Sequence, residues 1–183
     1  MSSREAEVQS VEVGTRPGAD GVVLFAAGLA ALICLASVGL NGDGVIAGFV
    51  AFVLVRLAAI DAKTRILPNR IVLPATGVVL AAHAVVTPSR AGWFVVAAAG
   101  AAGAFLVLAL LRPGALGMGD VKLAMLLGAA LGGAVVPALA LGSFSAGLFA
   151  AGLVFVRGRE ALKSEMPLGP FLAFGGLVLL LLA

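Results

Sequence analysis

Two aspartates sit at the edges of apolar segments that otherwise shun charge. Asp61 opens the run Asp61-Ala62-Lys63-Thr64-Arg65-Ile66-Leu67-Pro68-Asn69, and Asp120 closes Gly117-Met118-Gly119-Asp120 ahead of Val121-Lys122-Leu123. A carboxylate beside hydrocarbon costs about a few kcal/mol unless it is partnered or hydrated, so its presence there points to function. If both carboxyls meet at one membrane face, they can hold a water between them. The ionised one takes a proton from that water while the protonated one polarises a scissile carbonyl, which is the chemistry of an aspartic peptidase. Like-charge proximity favours the mixed state, so the pair should titrate as one coupled unit.

No other residue set in the chain offers comparable chemistry. Ser143 and Ser145 lie in an apolar segment without a neighbouring base, and His83, the sole histidine, falls toward the far side. Cys34 is alone inside an apolar segment, which excludes an intramolecular disulfide or a thiolate metal site and leaves packing as its role. No metal site and no cofactor are expected.

The elements that carry these residues follow from composition. The chain has 183 residues, 62% hydrophobic and 11% charged, with a mean hydropathy of +1.18. A soluble domain of this size could not hide so much apolar surface. A spanning helix needs roughly 20 mostly apolar residues, since each adds about 1.5 Å against a hydrocarbon core about 30 Å thick. The expected fold is an all-α polytopic membrane helix bundle of about seven helices, one of them short, in a membrane domain covering 21–183. The net charge of +3 and pI near 9.8 invite a nucleic-acid reading. That reading is excluded, because the basic residues fall in short loops between apolar segments and no aromatic platform for bases is present.

Residues 1–20 are polar, mixed in sign and without helical periodicity, which suggests a flexible cytoplasmic tail; Glu5, Glu7, Glu12 and Asp20 interrupt the pattern of a signal peptide. Apolar segments are expected over 21–40, 45–60, 71–86 and from the Trp93-Phe94 pair, suited to an aromatic belt, to Leu111. Turns are expected at Asn41-Gly42-Asp43-Gly44 and Thr87-Pro88-Ser89-Arg90. Pro68 biases Leu67 away from the helical region and so ends the Asp61 connection. The stretch 121–156 is too long for one span and divides near Gly132-Gly133, with Pro137 helping the separation. A polar loop, Arg157 to Pro167, precedes a last segment over 168–183. With the tail in the cytoplasm, eleven of the 12 basic residues fall inside and only Arg90 outside, a lopsided positive-inside vote. Asp61 and Asp120 then share the cytoplasmic face, and Asp43 lies opposite.

Gly117 and Gly119 can take positive φ and let an extended substrate approach Asp120 closely. The competing role for Asp120 is as N-cap of the helix beginning at Val121. Lys122 either positions an acidic substrate group or serves as an orientation signal, and Arg65 and Asn69 either brace the first aspartate's connection or are solvated. Pro167 and Pro170 either shape a turn beside the carboxyls or punctuate the last helix. Small-xxx-small pairs, Gly100 with Ala104, Gly128 with Gly132 and Gly142 with Ala146, are expected to pack helices internally, with a homodimer as their second use.

The segment Gly117-Met118-Gly119-Asp120-Val121-Lys122-Leu123 resembles the second active-site motif of type IV prepilin peptidases, membrane aspartic peptidases of the GxGD class. Asp61 with Arg65-Ile66-Leu67-Pro68-Asn69 resembles their first motif, and Pro167-Leu168-Gly169-Pro170-Phe171-Leu172-Ala173 is similar to their C-terminal element. Leu67 stands where the family usually has Ile, and Leu168 where it often has Phe. The resemblance implies that Asp61 and Asp120 are the catalytic dyad and that the chain cleaves the leader of a prepilin or pseudopilin precursor at the cytoplasmic face of the inner membrane. Many members of that family also carry a cysteine-rich zinc-binding loop and methylate the new N-terminus. With one Cys, this chain resembles the short, peptidase-only type found with Flp pilus systems, and no S-adenosylmethionine dependence is expected.

Two other functions use the same residues. A small proton-coupled carrier would load and release protons on Asp61 and Asp120, but carrier sites lie near the bilayer midplane, often between inverted repeats, and here both acids stand at segment ends. A non-catalytic membrane protein of pilus assembly is the third reading. The expected partners are the precursor, membrane lipid and, through the small-residue pairs, a second copy of the chain; nucleic acid is excluded.

Overall fold

The computed structural model describes residues 17–64, 67–111, 116–157 and 167–182. They form seven α-helices: α1 (Pro17–Val38), α2 (Gly42–Thr64), α3 (Asn69–Val86), α4 (Ala91–Leu111), α5 (Met118–Leu131), α6 (Val135–Arg157) and α7 (Gly169–Leu182). Short 3-10 turns, Pro88–Arg90 and Gly132–Ala134, lead into α4 and α6. No strand occurs among the described residues. The first four helices are each long and apolar enough to cross a membrane, as is the 39-residue unit Met118–Val156 that α5 and α6 divide between them. Large apolar side chains such as Phe25, Leu32, Val107 and Phe144 face outward, where a soluble protein would place polar groups. The chain is an integral membrane protein.

Successive helices run in opposite directions. Asp20 at the start of α1 pairs with Lys63 at the end of α2, Lys122 near the start of α5 bonds Asn69 at the start of α3, and Phe94 early in α4 stacks on His83 late in α3. Gly142 of α6 packs on Leu172 of α7 in the same antiparallel sense. One end of the bundle therefore gathers Asp20, Lys63, Asn69 and Lys122, and the other gathers Asp43, His83 and Arg90.

Val50, Leu54, Leu57, Val72, Val79, Leu123, Leu126, Leu127 and Leu172 are fully buried and join α2, α3, α5 and α7 in one core. Helix α5 is the axis of that core. At 14 residues it is about 21 Å long, short of a full span. Lipid supplies no hydrophobic force between helices, so close approach depends on small residues. A Cβ at Gly128 would lie 2.5 Å from the Ala97 carbonyl oxygen, and one at Gly142 would lie 2.9 Å from Leu172 Cα. Two of the three expected small-residue pairs thus contribute an internally packed glycine, whereas Gly100 has open space around it.

Several boundaries differ from those expected. Helix α1 begins at Pro17, so Asp20 belongs to its first turn; the rest of the expected tail, 1–16, lies outside the described residues. The turn expected at 41–44 sits earlier. Gly39 adopts φ +103, and Asn41 Oδ1 accepts the Gly44 N–H at 2.8 Å, which caps α2 and lets it start at Gly42. The long apolar stretch does break at Gly132, where φ is +56 and the Phe94 and Trp93 rings would crowd a Cβ at 3.1–3.3 Å. Pro137 falls inside the first turn of α6, where its missing N–H costs nothing. Phe94 departs from the aromatic-belt expectation. It turns inward and stacks on buried His83 with ring centroids 3.6 Å apart, leaving Trp93 as the exposed member of the pair.

Candidate active site

Asp61 continues an apolar seam. Val50, Leu54, Leu57 and Asp61 recur at helical spacing on the buried face of α2, so the side chain that follows the leucines inward is a carboxyl, 5% exposed. Buried polar groups require partners, and this one has a main-chain donor. Gly169, the first residue of α7, donates its N–H to Asp61 Oδ2 at 3.1 Å. A Cβ on residue 169 would stand 2.5 Å from that oxygen and 2.9 Å from Cγ. Gly169 is thus required by the closeness of the carboxyl.

Asp120 reaches the same region from α5. Gly117 is the N-cap, with extended backbone at φ −79 and ψ 148, and Asp120 is the third helical residue. Asp120 Oδ2 accepts the Gly117 N–H at 3.3 Å, and the Asp120 N–H donates to the Gly117 carbonyl at 3.0 Å. Each carboxyl therefore has one main-chain N–H at a helix N-terminus, Asp61 from α7 and Asp120 from the start of α5, an arrangement that stabilises negative charge.

The two carboxyls line one cavity of about 380 Å³ together with Leu67, Pro68, Asn69, Gly117, Met118, Gly119 and Lys122. They are near enough for the charge of Asp61 to act on Asp120. The volume far exceeds the about 30 Å³ that one water occupies in the liquid, so the cavity admits a peptide backbone as well as a water. Its walls are mixed: Leu67, Pro68 and Met118 give an apolar side, and Lys122 donates to Asn69 Oδ1 across the gap between the two connections. That bond ties the start of α3 to the start of α5 and so fixes the two aspartate-bearing connections to one another. Among the described residues, no group of three or more His, Cys, Asp or Glu side chains comes together.

Two details of the sequence reading need correction. Neither Gly117 nor Gly119 takes positive φ; Gly117 is extended and Gly119 is helical. The glycine at 119 answers to packing, since a Cβ there would meet Leu67 Cβ at 3.0 Å, and Gly117 has only ordinary contacts. The N-cap of α5 is Gly117, so Asp120 does not cap its helix from outside. Pro68 caps α3 with extended backbone and lines the cavity, and Asn69 serves as the lysine's acceptor. Pro167 and Pro170 flank Gly169 without lining the cavity. Arg65 and most of the 157–167 loop lie outside the described residues. Sequence reasoning passed over Met118, whose place between the two glycines was the available signal.

A helical membrane bundle with paired carboxyls at one end defines the class of protein. The type IV leader peptidase family matches residues 48–152, a stretch that contains both aspartates. Two curated proteins of Burkholderia pseudomallei, from strains 1026b and K96243 and each named prepilin leader peptidase/N-methyltransferase, are 34% identical over 166 residues, which is 85% of this chain and 52% of theirs. The chain spans about half the length of these curated relatives. No solved structure gives a significant match. The chain belongs to the type IV leader peptidase family.

Proposed function

We propose that the chain is an aspartic endopeptidase that removes the leader of type IV or Flp-type prepilins at the cytoplasmic face of the inner membrane. The observation that carries this reading is the single cavity lined by both Asp61 and Asp120 at one end of the bundle. The basic residues that cluster toward that end favour a cytoplasmic orientation.

In the reaction, a water sits between the carboxyls. The ionised carboxylate takes its proton as the oxygen attacks the scissile carbonyl, and the protonated partner donates to the carbonyl oxygen. The tetrahedral gem-diol collapses as the dyad's remaining proton passes to the leaving amine, the C–N bond breaks, and one gem-diol hydroxyl returns its proton to the other carboxylate, so that one shared proton remains. Gly169 holds Asp61 through its N–H, Gly117 holds Asp120, and the Lys122–Asn69 bond keeps the two connections in register. Leu67, Pro68 and Met118 supply an apolar surface against which the precursor's segment near the cleaved bond rests. Only cleavage is proposed.

Incubating the purified chain with a candidate prepilin and reading the new N-terminus by mass spectrometry tests the proposal. Cleavage between a short basic leader and the hydrophobic segment is the expected result, and an intact precursor would overturn it.

A further inference from the structure

Helices α1 and α2 touch closely toward the end that carries Asp43 and leave a groove between them at the end that carries Asp61. A Cβ at Gly48 would lie 3.1 Å from the Ala31 carbonyl oxygen and 3.7 Å from Leu35 Cβ. At the Asp61 end, Asp20 and Lys63 bound a groove of about 440 Å³ whose other lining residues are Val23, Leu24, Arg56, Ala59, Ile60 and Thr64. Arg56, Ala59, Ile60 and Lys63 recur at helical spacing and share one face of α2. Asp61 points from a different face into the core, and the groove shares no residue with the carboxyl cavity.

The charges in this groove do not balance. Asp20 pairs with Lys63 at 3.6 Å, and Arg56 has no ion pair or hydrogen bond among the described residues. Arg56 stands about 10 Å along α2 from Lys63, inside the membrane-spanning segment. A guanidinium at such depth needs an anionic partner, and its planar fork fits a phosphate through two parallel N–H bonds. The walls beside it are aliphatic. An anionic head joined to an apolar body matches both features, and basic pockets between spanning helices hold acidic lipid headgroups by this means.

The geometry points to the α1–α2 groove as a binding site for one acidic phospholipid, its phosphate on Arg56 and Lys63 and its glycerol and first acyl carbons against Val23, Leu24, Ala59 and Ile60. The site is independent of leader cleavage, because neither Asp61 nor Asp120 takes part.

Native mass spectrometry of the whole chain, incubated with equal amounts of phosphatidylglycerol and phosphatidylcholine, tests it. One phosphatidylglycerol should be retained in preference. Arg56→Gln should lower that retention at least about fivefold, and Arg56→Lys should restore part of it. Ala59→Leu keeps both cations and fills the groove, so it should also lower retention, and it tests the site even if Arg56→Gln yields little folded protein. Equal retention of the two lipids by the unaltered chain, undiminished phosphatidylglycerol on the Ala59→Leu protein, or displacement of the lipid by equimolar glycerol phosphate would overturn the assignment.

Discussion

The N–H of Gly169 and the Oδ2 of Asp61 are 3.1 Å apart, although 108 residues separate them in the chain. This bond brings the N-terminus of the last helix against the last turn of the second, and it makes residue 169 sensitive to a single methyl group. Gly169→Ala should push the Asp61 carboxyl off its position and slow cleavage by roughly 100-fold, the scale expected for an angstrom of misplacement. Comparing prepilin processing rates at matched membrane abundance checks this. Near-normal rates would mean that the carboxyl tolerates displacement.

The glycines flanking Met118 should differ in tolerance. A Cβ at 119 meets Leu67 Cβ at 3.0 Å, whereas at 117 the nearest atom is Asp120 Oδ2 at an ordinary 3.5 Å. Gly119→Ala is expected to reduce activity on the order of tenfold and Gly117→Ala only a few-fold, since the clash must be relieved by moving the connection after Asp61. Adding Leu67→Ala to Gly119→Ala keeps the Cβ contact but removes those to Cδ1 at 3.1 Å and Cγ at 3.4 Å, so it should recover part of the loss. Cleavage rates for the two singles and the double decide the point, because neighbours that share a contact are non-additive.

Lys122 and Asn69 join the two connections by a hydrogen bond between exposed groups. Removing either partner should cost a similar amount, and the double variant Lys122→Ala/Asn69→Ala little more, with a coupling of about 1 kcal/mol in a thermal-melting cycle in detergent. Strict additivity would show that the lysine acts alone.

Two carboxyls sharing one proton work only in the singly protonated state. The cleavage rate should therefore rise and then fall as pH increases, being lost at low pH when both are protonated and at high pH when both are ionised. A rate profile with a leader peptide substrate checks this. A simple rise to a plateau would contradict a shared proton.

Much of this architecture was legible in the sequence because lipid imposes strict rules. The length of apolar segments indicated about seven helices, one of them short, where the described residues have seven with two of 14 residues, α5 and α7; the alternation brought Asp61 and Asp120 to one end with Asp43 at the other. What stayed hidden were contacts that depend on which helices are neighbours. Gly169 was legible as a supporting residue only through the motif Pro167–Ala173, whereas its bond to Asp61 follows from α7 packing against α2, which no local pattern encodes. Gly119 suggested backbone freedom, but its constraint is the Leu67 side chain. Phe94 looked like a membrane-interface residue until His83, eleven positions earlier, proved to be its stacking partner. The start of α2 was misjudged because the glycines at 42 and 44 masked the cap supplied by Asn41.

The joint action of Asp61 and Asp120 is tested most directly by measuring prepilin cleavage in membranes that carry Asp61→Asn, Asp120→Asn or the unaltered chain at equal abundance. Loss of cleavage to background in both variants, by at least about 1,000-fold, is the expected result. Sustained cleavage by either variant would contradict a shared two-carboxyl site.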